Sequence, residues 1–131
     1  MSSRRAVHPL ILDAGALIAF DRRDRRVEIL VERGREIQRA ILVPVGALAQ
    51  VWRDGSRQAP LARLLNSDDV QVVELTAAHA RAAGELCGRR GTSDVIDASI
   101  VILARETHGF IATGDPDDLR HLDPGVRLAQ I

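Results

Sequence analysis

The 131-residue chain has no lysine, no tyrosine, one cysteine (Cys87), one tryptophan (Trp52) and two phenylalanines, Phe20 and Phe110. Each scarcity excludes something. A lone cysteine rules out an internal disulfide and is compatible with a reducing cytosol, so a cytoplasmic location is expected. Cys87 itself reads as a small buried filler on a helix rather than a nucleophile. With three aromatic residues in all, the core has to be aliphatic. No apolar run approaches the ~20 residues that cross a bilayer, so no membrane contact is expected. The start, Ser2-Ser3-Arg4-Arg5 before small apolar residues, has the outline of a secretory leader, but His8, Pro9 and Asp13 interrupt it.

What is present is the balance of a folded protein: 46% of residues are apolar and 27% charged, which is too apolar for a disordered chain. The length fits one domain spanning residues 1–131. Formal net charge is zero, so overall charge does not point to a nucleic acid. All 18 basic residues are arginine; that suits bidentate phosphate contacts and equally reflects genomic composition.

Strand and helix patterns alternate along the chain. Residues 7–12 read as a buried strand ending at Asp13, followed by a small-residue helix through Phe20. Val27, Leu30 and Val31 recur at helical spacing in a segment running to about Arg39. A second strand covers Ile41 to Val43, and Pro44 opens a helix with Leu48, Val51 and Trp52 that Gly55 closes. A short helix holds Leu61, Leu64 and Leu65, and a strand runs from Val70 to Leu75. Thr76 caps a helix to about Cys87 that stops in the loop Gly88 to Gly91. Ser93 or Asp94 caps an apolar, buried helix, and Phe110 to Thr113 is a strand. Gly114 to Leu119 turns into a short helix, and Val126 to Ile131 is a last strand. The alternation predicts an α/β fold with a mostly parallel central sheet.

Open parallel sheets bind ligands at the carboxyl ends of their strands. Asp13 and Asp115 fall at such ends, and Asp94 and Asp97, three apart, share one face at a helix start. Taken singly, each reads as a cap or a solvated charge, and Asp117 and Asp118 as a solvated turn. Taken together they form a group of hard oxygen donors without a His or Cys cluster, a set that suits Mg²⁺ or Mn²⁺. The absent lysine excludes a P-loop. Receiver domains and haloacid-dehalogenase-type phosphatases place an Asp similarly, but both use a lysine near the phosphoryl group.

Three motifs in order resemble the PIN-domain family, and within it the VapC-type toxins. These are Leu12-Asp13-Ala14-Gly15-Ala16-Leu17-Ile18-Ala19, Asp94-Val95-Ile96-Asp97-Ala98-Ser99-Ile100, and Ile111 to Leu119 around Asp115. The resemblance spans nearly the whole chain and implies a three-layer α/β/α sandwich. It assigns Asp13, Asp97 and Asp115 as ligands of a divalent ion, with Asp94 as a supplement. A fourth acid, usually Glu, sits on the helix after the second strand, where this chain has Gln50. Gln keeps an oxygen acceptor but loses the charge.

The resemblance further implies a Mg²⁺- or Mn²⁺-dependent endoribonuclease, silenced by a cognate antitoxin protein and commonly a homodimer. The helix of Val27, Leu30 and Val31 and the segment near Trp52 are candidate dimer contacts. Arg22, Arg23, Arg53 and Arg57 are candidates for gripping the RNA backbone. Gln50 keeps an alternative open, a catalytically weakened PIN-fold module that binds RNA or a partner protein. A DNA nuclease is a third reading.

Overall fold

A computed structural model describes residues 7–131. The Ser2–Arg5 segment lies outside them. In chain order the elements are β1 (Leu10–Leu12), α1 (Ala14–Asp21), α2 (Arg25–Glu36), β2 (Ile41–Pro44), α3 (Val45–Val51) and α4 (Ala59–Leu65). There follow β3 (Val70–Val73), α5 (Ala77–Arg90), α6 (Val95–Thr107), β4 (Phe110–Thr113), α7 (Pro116–Leu122) and β5 (Leu128–Gln130). The strands form one sheet of order β3-β2-β1-β4-β5 with every pairing parallel. The expected α/β sandwich is therefore the architecture found.

Parallel strands covered on both faces need apolar residues at every position rather than alternation. All residues of β1 and β2 are buried, and β3 at the sheet edge is not. Helices gather in two groups: α1 packs on α2, α3 and α4, while α5, α6 and α7 pack on one another. The core between them is aliphatic, as the scarcity of aromatics requires, and Cys87 is buried in it.

Element boundaries shift from expectation for local reasons. β1 starts at Leu10 because Pro9 has no N–H for the ladder, whereas Leu10 donates to Ala40 at 2.9 Å. Helix α2 ends at Glu36, before Gln38 turns to a φ of +58°. Helix α5 runs through Gly88 to Arg90, since the glycine that stops it is Gly91, at φ +67°. Helix α3 closes at Val51, short of Gly55. Val27 and Val31 belong to the core, with Leu30 packed against it, so this face of α2 is not a free dimer surface.

Candidate metal centre

The chain leaves β1 for β2 and β3 on one side, then returns to place β4 on the other side of β1. Loops leaving the two central strands diverge there and open a crevice beyond their carboxyl ends. Asp13 follows β1 directly. Asp115 follows β4 by two residues, and the two strands are in register, with Leu12 opposite Ala112.

Asp13 and Thr113 are the only buried polar side chains among the described residues, at 7% and 0% exposure. Asp13 Oδ1 accepts the Ala16 N–H at 2.8 Å and so caps α1. The Thr113 hydroxyl hydrogen-bonds the Asp13 carboxylate, and its Oγ1 accepts the Asp115 N–H at 2.9 Å. One hydroxyl thereby ties the ends of β1 and β4 together. Burial pushes the Asp13 carboxyl above its ordinary range, against hydrogen bonds from Thr113, Ala16 and Gly15 that favour its charged form.

Helix α6 brings two more acids. Asp94 caps it by accepting the Asp97 N–H at 3.0 Å, which leaves the Asp97 carboxyl one turn inside. Burial, followed by the charges of Asp94, Asp13 and Asp118, pushes Asp97 up to about 7. Asp115 is raised as well, first by its hydrogen bond with Asp118 and the Asp118 charge, then by burial, Asp13 and Asp117.

Gln50 arrives through a close helix contact. A Cβ on Gly46 would stand 2.7 Å from Ile96 Cδ1, so α3 and the start of α6 are in close contact there, with the Ile96 side chain filling the space over the glycine. Gln50 lies four residues on, over the same face of α3.

The outcome is one cleft of about 270 Å³ lined by Asp13, Gln50, Asp94, Asp97, Asp115 and Asp118. All five residues selected from sequence reach it. None of its aspartates pairs with an arginine among the described residues. The carboxylates face a shared space without three of them closing to ligating distance. Oxygen-only and without a basic partner among the described residues, with Asp13, Asp97 and Asp115 raised, the set fits a small hard cation. Arg22, Arg23, Arg53 and Arg57 do not line this cleft.

Two residues escaped the sequence reading. Asp118 was grouped with Asp117 as a turn, yet Asp115 and Asp118 repeat the three-residue spacing of Asp94 and Asp97 and share a face in the same way. Asp117 points elsewhere and pairs with Arg120 at 3.8 Å. Thr113 carried a fainter signal, a hydroxyl ending an otherwise apolar strand.

The sequence profile of the PIN domain matches residues 10–123. The chain belongs to the PIN-domain family. PIN domains are generally metal-dependent nucleases, in keeping with the acidic cleft. Solved structures of the same fold include VapBC2 from Rickettsia felis, bound to a DNA fragment from its promoter. It has a TM-score of 0.69 and 16% identity over 92% of this chain and 97% of that one. FitAcB from Neisseria gonorrhoeae matches at TM-score 0.64 and 15% identity, over 91% and 95% of the two chains. PAE2754 from Pyrobaculum aerophilum matches at 0.62 and 16%, over 94% and 92%. At such identities the likeness is one of fold. Comparison with curated protein sequences gives no match. No helix among the described residues of this PIN domain is long and apolar enough to cross a membrane.

Proposed function

We propose that this PIN domain is a Mg²⁺- or Mn²⁺-dependent endoribonuclease, the toxin of a toxin–antitoxin pair. The observation that carries the reading is the buried Asp13 carboxyl at the sheet's switch point, sharing a cleft with Asp97 and Asp115 and with no basic side chain paired to them among the described residues. Asp13, Asp97 and Asp115 would hold the ion, with Asp94 alongside. A bound divalent ion supplies Lewis acidity, activating water and stabilising charge on a phosphodiester.

The protein's part is positioning and charge. Thr113 fixes the Asp13 carboxylate and the Asp115 backbone relative to each other. Asp97, with its proton held to about 7, must release it for a cation to enter, so ion binding is expected to strengthen as pH rises. The likeness to VapBC2 and FitAcB supports an antitoxin protein as partner, acting in the cytoplasm. The test is cleavage of single-stranded RNA by the purified chain with Mn²⁺ or Mg²⁺, abolished by EDTA and by Asp97→Asn.

One observation favours a second reading. Gln50 stands in the cleft where the family carries a fourth acid, which fits a module that binds RNA or protein with little cleavage. RNA bound but left intact at saturating Mn²⁺ would select it, and cleavage of DNA in preference to RNA would overturn both.

A further inference from the structure

Trp52 is the chain's one tryptophan, and it is 39% exposed at the C-cap of α3, two residues beyond Gln50. Two residues of chain span at most about 7 Å, so the Trp52 backbone lies within that reach of Gln50, at the margin of the acidic cleft rather than in its lining.

The loop that follows is built rather than slack. The Gln58 side chain acts as its clamp: Oε1 accepts the N–H groups of Arg53 (2.8 Å) and Asp54 (3.0 Å), and Nε2 donates to the Val51 carbonyl at 2.9 Å. Asp54 Oδ1 accepts both the N–H and the hydroxyl of Ser56, at 3.0 and 2.7 Å. The indole rests against Gly55, where a Cβ would come within 3.0 Å of Cζ2 and 3.1 Å of Cη2. A side chain there would crowd the ring by a few tenths of an ångström. Glycine therefore lets the loop lie against one side of the indole, and part of the remaining surface is open to solvent.

Two arginines follow it in this loop. Arg53 Nη1 donates to the carbonyls of Ala49 (3.2 Å) and Trp52 (2.7 Å), which leaves its other donors free of bonds within the described residues. The Arg57 side chain is 87% exposed, 3.8 Å from Asp54.

Covering the exposed part of this indole would gain hydrophobic free energy. A protein partner would ask for a contiguous apolar patch, and the residues after Trp52 in this loop are polar and mostly exposed. A single flat aromatic with arginines in the adjoining loop suits a nucleobase and its phosphates, the combination by which proteins bind single strands.

We propose that Trp52 is a preformed stacking platform for an unpaired base of the RNA next to the cleft, with Arg53 and Arg57 facing the adjoining phosphates. This rests on the ribonuclease reading above and adds to it the residue that selects a single-stranded segment.

With no tyrosine and one tryptophan, intrinsic fluorescence reports this position alone. The full chain carrying Asp97→Asn, so that the RNA stays whole, is titrated in Mg²⁺ with a labelled unstructured RNA oligonucleotide. Trp52 emission should be quenched in step with the rise in RNA anisotropy. Trp52→Phe should bind nearly as well. Trp52→Leu, which keeps an apolar contact on Gly55 but cannot stack, should weaken binding on the order of ten-fold, and Trp52→Ala likewise. RNA binding that leaves Trp52 emission unchanged, or Trp52→Leu binding as tightly as the parent, overturns the platform and spares the ribonuclease. No RNA binding at all overturns both. Emission that changes with protein concentration alone, together with a dimer that Trp52→Ala dissociates, makes the site a protein interface and overturns the proposal.

Discussion

The two ends of the sheet treat aspartate in opposite ways. At the carboxyl ends of the strands, Asp13, Asp97 and Asp115 are all raised, Asp13 by burial, Asp97 by burial and neighbouring aspartates, and Asp115 first by Asp118, with no arginine paired to them among the described residues. At the amino ends, Asp123 is partly buried too, but Arg105 Nε donates to it at 2.8 Å and Gly125 N–H at 2.9 Å. Burial pushes Asp123 up, and these bonds with the Arg105 and Arg90 charges outweigh it, so its carboxyl falls below the ordinary range. One end of the fold neutralises its acids and the other leaves them in conflict. Groups left unneutralised inside an otherwise well-paired protein mark the place where something else is meant to bind.

Substitutions at the two ends should therefore differ in sign. Asp97→Asn carries the largest expected effect: RNA cleavage falls by about a hundred-fold or more, beyond the usual cost of losing a supporting contact. Yet the metal-free protein should melt at the same temperature or higher, because a repelling charge is gone. Wild-type cleavage by the pure variant would remove Asp97 from the site.

Thr113→Val tests the link between β1 and β4. It takes one of several hydrogen bonds from Asp13, leaves the Asp115 N–H without its partner, and should cost about 1–3 kcal/mol in chemical denaturation. A loss near zero would mean that water replaces the hydroxyl. Asp123→Asn at the paired end should destabilise by about 1 kcal/mol or less, because the Arg105 side chain is 43% exposed and solvent screens the pair. A gain in stability there, of the kind expected from Asp97→Asn, would erase the contrast between the ends.

The smallest effect is expected from Gln50→Glu. It adds a carboxylate to the cleft, so Mn²⁺ affinity by calorimetry should rise about three-fold, limited by the exposure of this position, while the metal-free protein loses stability. Unchanged affinity and stability together would place Gln50 outside the ion's field.

Much of this was legible in the sequence because it rests on short-range chemistry. Uninterrupted apolar runs such as Leu10-Ile11-Leu12 announced strands buried on both faces, and Asp13 and Asp94 announced helix starts by residue type. The three motifs, in order, gave the family and its acids. What stayed hidden depends on which elements meet. That Val27 and Val31 face the core, that Gly46 of α3 meets Ile96 of α6, and that Thr113 bridges two strands all follow from tertiary packing. Asp118 was readable from its spacing to Asp115, but a run of acids in a turn looks the same whether or not one of them points into a cleft.

The central claim is that the crowded carboxylates await a divalent cation, and the most direct measurement is thermal melting of the EDTA-stripped chain from pH 5 to 8, with and without Mn²⁺. Asp97 is raised from 3.8 to about 7 in the folded state. Between those values the folded chain holds a proton that the unfolded chain has lost, so this stability is present at low pH and disappears as pH rises through about 7. The account predicts a metal-free protein that melts at lower temperature at pH 8 than at pH 5. Millimolar Mn²⁺ should restore the melting temperature at pH 8 and do little at pH 5, and Asp97→Asn should remove most of both effects. A wild-type melting temperature at pH 8 that ignores Mn²⁺ would contradict it.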